Sequence, residues 1–191
     1  MNENTHSENI KLFTSFKQAL LMLVENDHAL LDNRKKRASI SHRIALYLER
    51  LVPYVKYIDL SYEVKIKGKD IYPDVMLHDR LGNIQLGLFW EEGYLSKADQ
   101  EEIKRFHEET KAGLTLAFSI LPERSYFLIY LVEDNLIQYF HLDKESGHDE
   151  YLKQVEEEDV IKEEPQLFHI PKTRKRKKKK VEADVSTPDL I

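Results

Sequence analysis

Phe127-Leu128-Ile129-Tyr130-Leu131-Val132 is a continuous apolar run, and it decides the fold class. A strand covered on both faces has such a run, whereas a strand with one face in water alternates apolar and polar residues. Apolar segments flank the run at Leu114–Leu121 and Leu136–Leu142, with turn-forming residues between them. This part of the chain is therefore predicted to form three neighbouring strands of one sheet.

Upstream of these strands, the sequence predicts two helices and then a change of period. Apolar residues recur at helical spacing over Ile10–Leu31 and again after Ser39 or Ser41, either of which could cap a second helix that ends before Pro53. Alternation then predicts a strand from Tyr54 through Ile66.

Two further strands and a helix complete the predicted order. The strands are Ile71–Leu77 and Asn83–Glu91, and the helix runs to Thr110 from Ser96, which forms a capping box with Asp99. The order is α-α-β-β-β-α-β-β-β. It predicts an α/β domain with a mixed β-sheet flanked by helices, because an antiparallel meander is followed by a helical crossover.

Composition narrows the class of protein. The 191 residues are 41% hydrophobic, which fits one domain with a core, and the absence of cysteine excludes disulfides and thiolate metal sites. No apolar run approaches the roughly 18 residues of a transmembrane helix, and Met1–Asn9 lacks the pattern of a signal peptide. We therefore expect a cytoplasmic protein with no membrane partner.

The chain divides into four predicted segments. Residues 1–9 are expected to be disordered, and residues 10–143 to form the folded domain. Residues 144–171 are an acidic linker or a marginal helix, the helix covering Tyr151–Ile161. Residues 172–191 have no apolar face and are expected to be a disordered basic tail.

Three stretches carry a family resemblance. They are Ser39-Ile40-Ser41-His42-Arg43-Ile44-Ala45-Leu46-Tyr47-Leu48, then Tyr72-Pro73-Asp74-Val75-Met76-Leu77-His78-Asp79, then Gly82-Asn83-Ile84. Over roughly Leu23 to Asp143 the chain resembles restriction-endonuclease-like domains of the PD-(D/E)xK nuclease superfamily, most closely small uncharacterised bacterial members. The resemblance implies an αβββαβ core, here with an added N-terminal helix and C-terminal strands.

The resemblance also implies a catalytic site with a divalent cation. An aspartate and an acid on the next strand would hold the ion, which activates a water. A lysine two residues after the acid would lie on the same face of that strand as the acid. Asp74 matches the aspartate. Phe89 stands in the place of the acid and Glu91 in that of the lysine, while Arg37 stands where similar proteins have an acid before the second helix.

Replacement residues could rebuild such a site. Glu91, and also Glu92 or Glu63, could supply carboxylates for magnesium or manganese beside Asp74, since hard cations take oxygen ligands. Lys97 or Lys104 on the following helix could replace the lysine. The candidate catalytic set is thus Asp74, Glu91 and Lys97, and the candidate metal ligands are Asp74, Glu91 and Glu63; without activity, no cofactor is expected. The alternative is that Glu91 and Glu92 only end a solvated strand.

Other polar residues have local interpretations. His42 and Arg43 near the start of the second helix could hold a phosphate, although local packing is favoured. His78, His107 and His141 lie on three different predicted elements without metal-ligand spacing, and they are interpreted as structural.

A basic run in the tail is the strongest local charge feature. Lys172 to Lys180 holds eight basic residues in nine, and Glu156 to Glu164 just upstream holds six acids. The run could contact phosphates of a nucleic acid with little sequence selectivity, or bind an acidic protein, or fold back on the acidic block. Its basic residues are Lys172, Arg174, Lys175, Arg176, Lys177, Lys178, Lys179 and Lys180.

Three functions follow as hypotheses. The first is a catalytically degenerate nuclease-like domain that binds nucleic acid or a protein partner. The second is an active metal-dependent nuclease with a rearranged site. The third is a protein-interaction scaffold, since one fold supports several roles.

Overall fold

The structure, a computed structural model, describes residues 3–31, 37–133 and 136–152, which belong to one compact unit, Met1–Glu156. In these residues three helices accompany a seven-stranded and a two-stranded sheet, so the predicted α/β class is confirmed. The elements are α1 (Glu3–Leu31), α2 (Arg37–Leu51), β1 (Tyr57–Leu60), β2 (Val64–Ile66), β3 (Lys69–Ile71), β4 (Val75–His78), β5 (Ile84–Glu92), α3 (Lys97–Thr110), β6 (Leu114–Ile120), β7 (Tyr126–Glu133), β8 (Leu136–Asp143) and β9 (Asp149–Leu152).

The main sheet is mixed, as predicted. Its strand order is β1-β4-β5-β6-β7-β8-β9. β5 and β6 pair in parallel through the α3 crossover, and the other neighbours pair antiparallel. The apolar run Phe127–Val132 lies in β7, the fifth strand in this order, and its residues are largely buried.

The larger core lies between the sheet and the helices α1 and α2. Phe118 on β6 is fully buried, and its ring centroid lies 5.8 Å from that of Phe16 on α1. The same ring stacks on Trp90 of β5 at 5.9 Å and meets Phe127 of β7 edge-on at 6.1 Å. These aromatic contacts fix where the end of β5 lies relative to the two helices.

Helix α3 contacts the sheet through β5, β6 and β7. Phe106 of α3 is fully buried and contacts Phe89 of β5 edge-on at 5.3 Å. The helix begins as the sequence predicts, because Ser96 and Asp99 form the expected capping box. The backbone of β5 comes so close to Phe106 at Gly87 that only a residue without a side chain fits there.

The predicted strand Tyr54–Ile66 is wrong as one element. It is split into β1 and β2, because Ser61 has a positive φ of 48° that interrupts the extended backbone. Its partner, predicted as Ile71–Leu77, is likewise split into β3 and β4 around Pro73, which has no N–H to donate. The two strand pairs nevertheless keep one register, with Tyr57 opposite His78 and Val64 opposite Ile71.

Two terminal predictions also need correction. The segment 1–9, expected to be disordered, is helical from Glu3, and the side chain of Asn9 donates to the carbonyl oxygen of Gly113 at 2.6 Å. The segment 144–171 was expected to be an acidic linker or a marginal helix beginning at Tyr151. Instead it contains β9, which pairs with β8, and Tyr151 lies in that strand. Residues 153–191, including the basic run, lie outside the described residues.

No helix in the described part of the chain is long and apolar enough to cross a membrane.

Candidate functional site

Asp74 lies directly before β4 and is 6% exposed. β1 and β2 form one side of a hairpin and β3 and β4 the other, and we call it the interrupted hairpin. Across it the Ser61 N–H donates to the Asp74 carbonyl oxygen at 3.3 Å, which sets the position of Asp74. On the other side, the backbone N–H of Trp90 donates to Asp74 Oδ2 at 3.0 Å. The carboxylate is therefore held at the start of β4, beside the end of β5.

Arg37, the first residue of α2, forms a bidentate ion pair with Asp74. Its Nε donates to Asp74 Oδ1 and its Nη2 to Asp74 Oδ2, each at 2.8 Å. Nη2 also donates to the carbonyl oxygen of Trp90 at 2.6 Å, and Nη1 donates to Glu91 Oε2 at 2.9 Å. The guanidinium thus lies between the two carboxylates that the sequence assigned to a metal ion.

The ring of Trp90 and the hydroxyl of Ser41 complete this cluster. The guanidinium carbon of Arg37 lies 5.0 Å from the centroid of a Trp90 ring, which is cation–π distance. The Trp90 indole N–H donates to Ser41 Oγ at 3.0 Å, and the same oxygen lies 3.4 Å from Asp74 Oδ1. We call these five residues, Arg37, Ser41, Asp74, Trp90 and Glu91, the Arg37 cluster.

Ser41 corrects the predicted start of the second helix. The helix begins at Arg37, so Ser39 and Ser41 lie inside it rather than capping it. The Ser41 hydroxyl lies 3.1 Å from the Arg37 carbonyl oxygen, four residues earlier, and is 4% exposed. This serine therefore connects α2 to the sheet instead of capping the start of the helix.

The neighbouring carboxylates stabilise the protonated form of Arg37. Burial opposes that charge, but the hydrogen bonds and the charge of Asp74, followed by those of Glu91, raise the pKa of the guanidinium. A guanidinium is already protonated at every physiological pH. The cluster therefore contains a permanent cation that is covalently part of the chain.

The remaining predicted site residues are not all brought to this cluster. Phe89, for whose position the resemblance implies an acid, is 8% exposed and packs on Phe106. Glu63, directly before β2, forms an ion pair at 3.2 Å with Lys65 of the two-stranded sheet. In the described residues, no group of three carboxylate or histidine side chains could hold a metal ion, so Asp74, Glu91 and Glu63 do not form one.

The candidate lysines and the additional acid lie on the elements that follow. Lys97 is the exposed first residue of α3, directly after the Ser96 cap, and Lys104 lies 3.3 Å from Glu101. Glu92 is half-buried, and its backbone N–H donates to Glu91 Oε1 at 3.2 Å. Within the described chain, the hydrogen bonds of Asp74 are to Arg37, Ser41 and Trp90, and Lys97 is not among these partners.

Three of the polar residues with local interpretations, Arg43, His78 and His107, make local contacts. Arg43 pairs with Asp27 at 2.6 Å and donates to the Tyr47 hydroxyl at 3.0 Å, across the kink of α1 at Asp27. His78 Nε2 lies 2.8 Å from Asp59, and His107 Nδ1 lies 2.9 Å from the Thr115 hydroxyl. These groups join elements of the fold. The exposed residue His42 is on the second turn of α2.

His141 on β8 makes stability depend on pH. Its ring stacks on that of Tyr126 with the centroids 3.9 Å apart. Burial lowers the pKa of the imidazole; the charge of Glu150 opposes this shift, and the charge of Arg124 adds to it. The unfolded chain then binds this proton more readily, so the contribution of His141 to stability should be constant above the ordinary histidine pKa of about 6.5 and fall as the pH drops below it. We expect the urea midpoint to fall less between pH 7.5 and 5.5 in His141→Gln than in the parent; an equal fall would contradict this.

Comparison of the chain with protein-family models, with curated proteins and with solved structures gave no significant match.

Proposed function

We propose that this chain is a catalytically degenerate nuclease-like domain that binds nucleic acid without cleaving it. The observation that carries the proposal is the position of Arg37, whose guanidinium pairs with both Asp74 and Glu91. In the metal-dependent mechanism those carboxylates would hold a divalent cation that activates water. Here both carboxylates are instead paired with one guanidinium, which, unlike a divalent metal ion, does not bind a water as a ligand and lower its pKa.

The arrangement of elements supports the nuclease-like part of the proposal. With the small sheet set aside, the chain runs α2, β1, β4, β5, α3, β6, which is the αβββαβ order that the resemblance implies. Asp74 stands at the start of one strand, and the next strand in the sequence ends beside it. The place of the second acid is the core residue Phe89, which cannot bind a cation through oxygen.

The nucleic-acid part of the proposal rests on the basic run. The described residues carry more acidic than basic side chains, which disfavours a phosphate-binding surface on the folded domain as a whole. Lys172 to Lys180 holds eight basic residues in nine. Clustered cations of this kind bind phosphates by releasing counterions, with strong salt dependence and little base selectivity. We therefore assign the contact with nucleic acid to this run.

Deletion of Lys172–Lys180 tests the binding. We expect the affinity for single- and double-stranded DNA and RNA to fall at least about tenfold, and the dependence of log K on log salt to become shallower, because phosphate contacts are lost. A matched control removes the nine residues Glu156–Glu164, which takes away acids instead of bases and should not weaken binding. Unchanged affinity after the first deletion would contradict the assignment of the contact to this run. If the full chain shows no salt-sensitive binding to nucleic acid at all, the protein-interaction scaffold is favoured.

A cleavage assay tests the absence of activity. The full chain should leave the same four substrates intact in magnesium and in manganese, and Asp74→Ala should behave identically. Metal-dependent cleavage that disappears in Asp74→Ala would instead establish the active nuclease with a rearranged site. Glu91→Gln and Lys97→Ala would then show which of the candidate catalytic residues take part.

A further inference from the structure

We infer that the Arg37 cluster is a guanidinium-binding site, selective for the planar guanidinium over divalent ions and ammonium, and occupied by the chain's own arginine. The inference goes beyond nucleic-acid binding and does not depend on it. It starts from the number and the direction of the contacts that Arg37 makes, which engage both edges and one face of its guanidinium.

The carboxylate and carbonyl oxygens match the fork of a guanidinium. Nε and Nη2 donate in parallel to the two oxygens of Asp74, which is the bidentate geometry that a planar guanidinium offers and an ammonium does not. Nη1 and Nη2 donate in addition to Glu91 and to the Trp90 carbonyl oxygen. Three residues thus accept four hydrogen bonds from one planar group.

The aromatic contact adds selectivity of a different kind. The Trp90 ring lies 5.0 Å from the guanidinium carbon. A weakly hydrated, delocalised cation gains from such a contact, whereas a small divalent cation keeps its waters and requires oxygens at close range all round it. The indole occupies one side of the cluster, where oxygen ligands for a divalent ion would be needed.

The site is built by residues other than Arg37. Asp74 is held by the Trp90 backbone N–H at 3.0 Å, and the Trp90 indole is held by Ser41 at 3.0 Å. Asp74, Trp90 and Ser41 are each 6% exposed or less. Because these supports remain when the Arg37 side chain is removed, the vacated site should stay preorganised for a ligand of the same shape.

Chemical rescue tests the inference. Arg37→Ala should lower Tm, and methylguanidinium at concentrations below its denaturing range should restore a large part of the loss. Methylammonium and manganese chloride at matched ionic strength should restore much less. Calorimetric titration of the folded variant should show one methylguanidinium site, and the parent, whose site is filled, should show none.

Arg80→Ala is the matched control. Arg80 also stacks on an aromatic ring, that of Tyr57, but it lies 3.8 Å from Asp59 with its side chain 59% exposed. Methylguanidinium should not raise the Tm of this variant. If Arg37→Ala does not fold alone, recovery of its folded circular dichroism spectrum on adding methylguanidinium gives the same readout. Arg37→Lys keeps the charge without the planar fork, and this variant should be folded with a lowered Tm.

Two results would overturn the inference. One is rescue of Arg37→Ala by manganese that equals or exceeds rescue by methylguanidinium, which would identify a cation site without guanidinium selectivity. The other is no rescue by any of the three cations. Neither result bears on the deletion of Lys172–Lys180, so the failure of this inference and that of the proposed nucleic-acid binding are distinguishable.

Discussion

Replacing Arg37 by alanine is expected to lower the free energy of unfolding by about 2–4 kcal/mol, because it leaves the carboxylate of Asp74 buried without its cation. With Arg37 in place the Asp74 side chain is 7% exposed, so its carboxylate depends on protein donors for most of its hydrogen bonds. The Arg37 side chain is 51% exposed, and solvent screening keeps the loss below that of a fully buried pair. Urea unfolding of the two proteins at pH 7 measures the difference.

A double-mutant cycle shows whether the loss belongs to the pair. Asp74→Ala in the Arg37→Ala background should cost less than Asp74→Ala in the parent, because the cation it served is already absent. Glu91→Gln is the internal comparison, since its side chain is 43% exposed and such pairs contribute less than about 1 kcal/mol. Additive losses for Arg37 and Asp74 would show that the two side chains stabilise the fold independently.

Replacing Gly87 by alanine is expected to cost about 2–3 kcal/mol, as overpacking of a filled core does. A Cβ at this position would lie 2.2 Å from Cε1 and 2.7 Å from Cζ of Phe106. That ring is fully buried and contacts Phe89, so it has no free space to enter. β5 or α3 must then move, which thermal and urea unfolding would record as a loss of stability.

Phe106→Leu provides the control for this clash. Leucine alone should destabilise the domain, because it removes ring atoms from the core. In that background Gly87→Ala should cost much less than in the parent, since Cε1 and Cζ, the two ring atoms nearest to the added Cβ, are gone. An equal cost in both backgrounds would mean that the glycine matters for its backbone freedom rather than for the approach of Phe106.

Most of the fold could be predicted from the sequence, because local patterns carry it. The apolar run in β7 and the capping box at Ser96 depend on residues within a few positions, and both are found as predicted. The split of the first strand at Ser61 could not be predicted, because a positive φ at serine has no local sequence signature. β9 was missed because its pairing with β8 is a tertiary contact of a short polar segment.

Two residues of the Arg37 cluster, Asp74 and Glu91, were among the predicted candidates, whereas Trp90 was not, and the pairing with Arg37 was not predicted. The sequence identifies Asp74, Glu91 and Arg37 separately, 37 residues separating Arg37 from Asp74 and 54 separating it from Glu91. A signal was present nonetheless. Relative to the pattern that the resemblance implies, an arginine stands in place of an acid and a glutamate in place of a lysine, so the two departures are of opposite charge. Only three-dimensional proximity shows that they pair.

The single register shared by the two halves of the interrupted hairpin has a consequence for folding. Lys67 and Gly68 both have positive φ, as the central residues of a tight hairpin turn do, and they join β2 to β3. Closing this turn aligns not only β2 with β3 but also Tyr57 with His78, so one local event sets the partners of both strand pairs. Contacts so near in sequence form quickly, whereas the pairing of β5 with β6 must wait for a helix to cross between them. The two-residue turn thus sets Ser61 as the backbone partner of Asp74, whereas the side-chain partner Arg37 comes from a distant part of the chain.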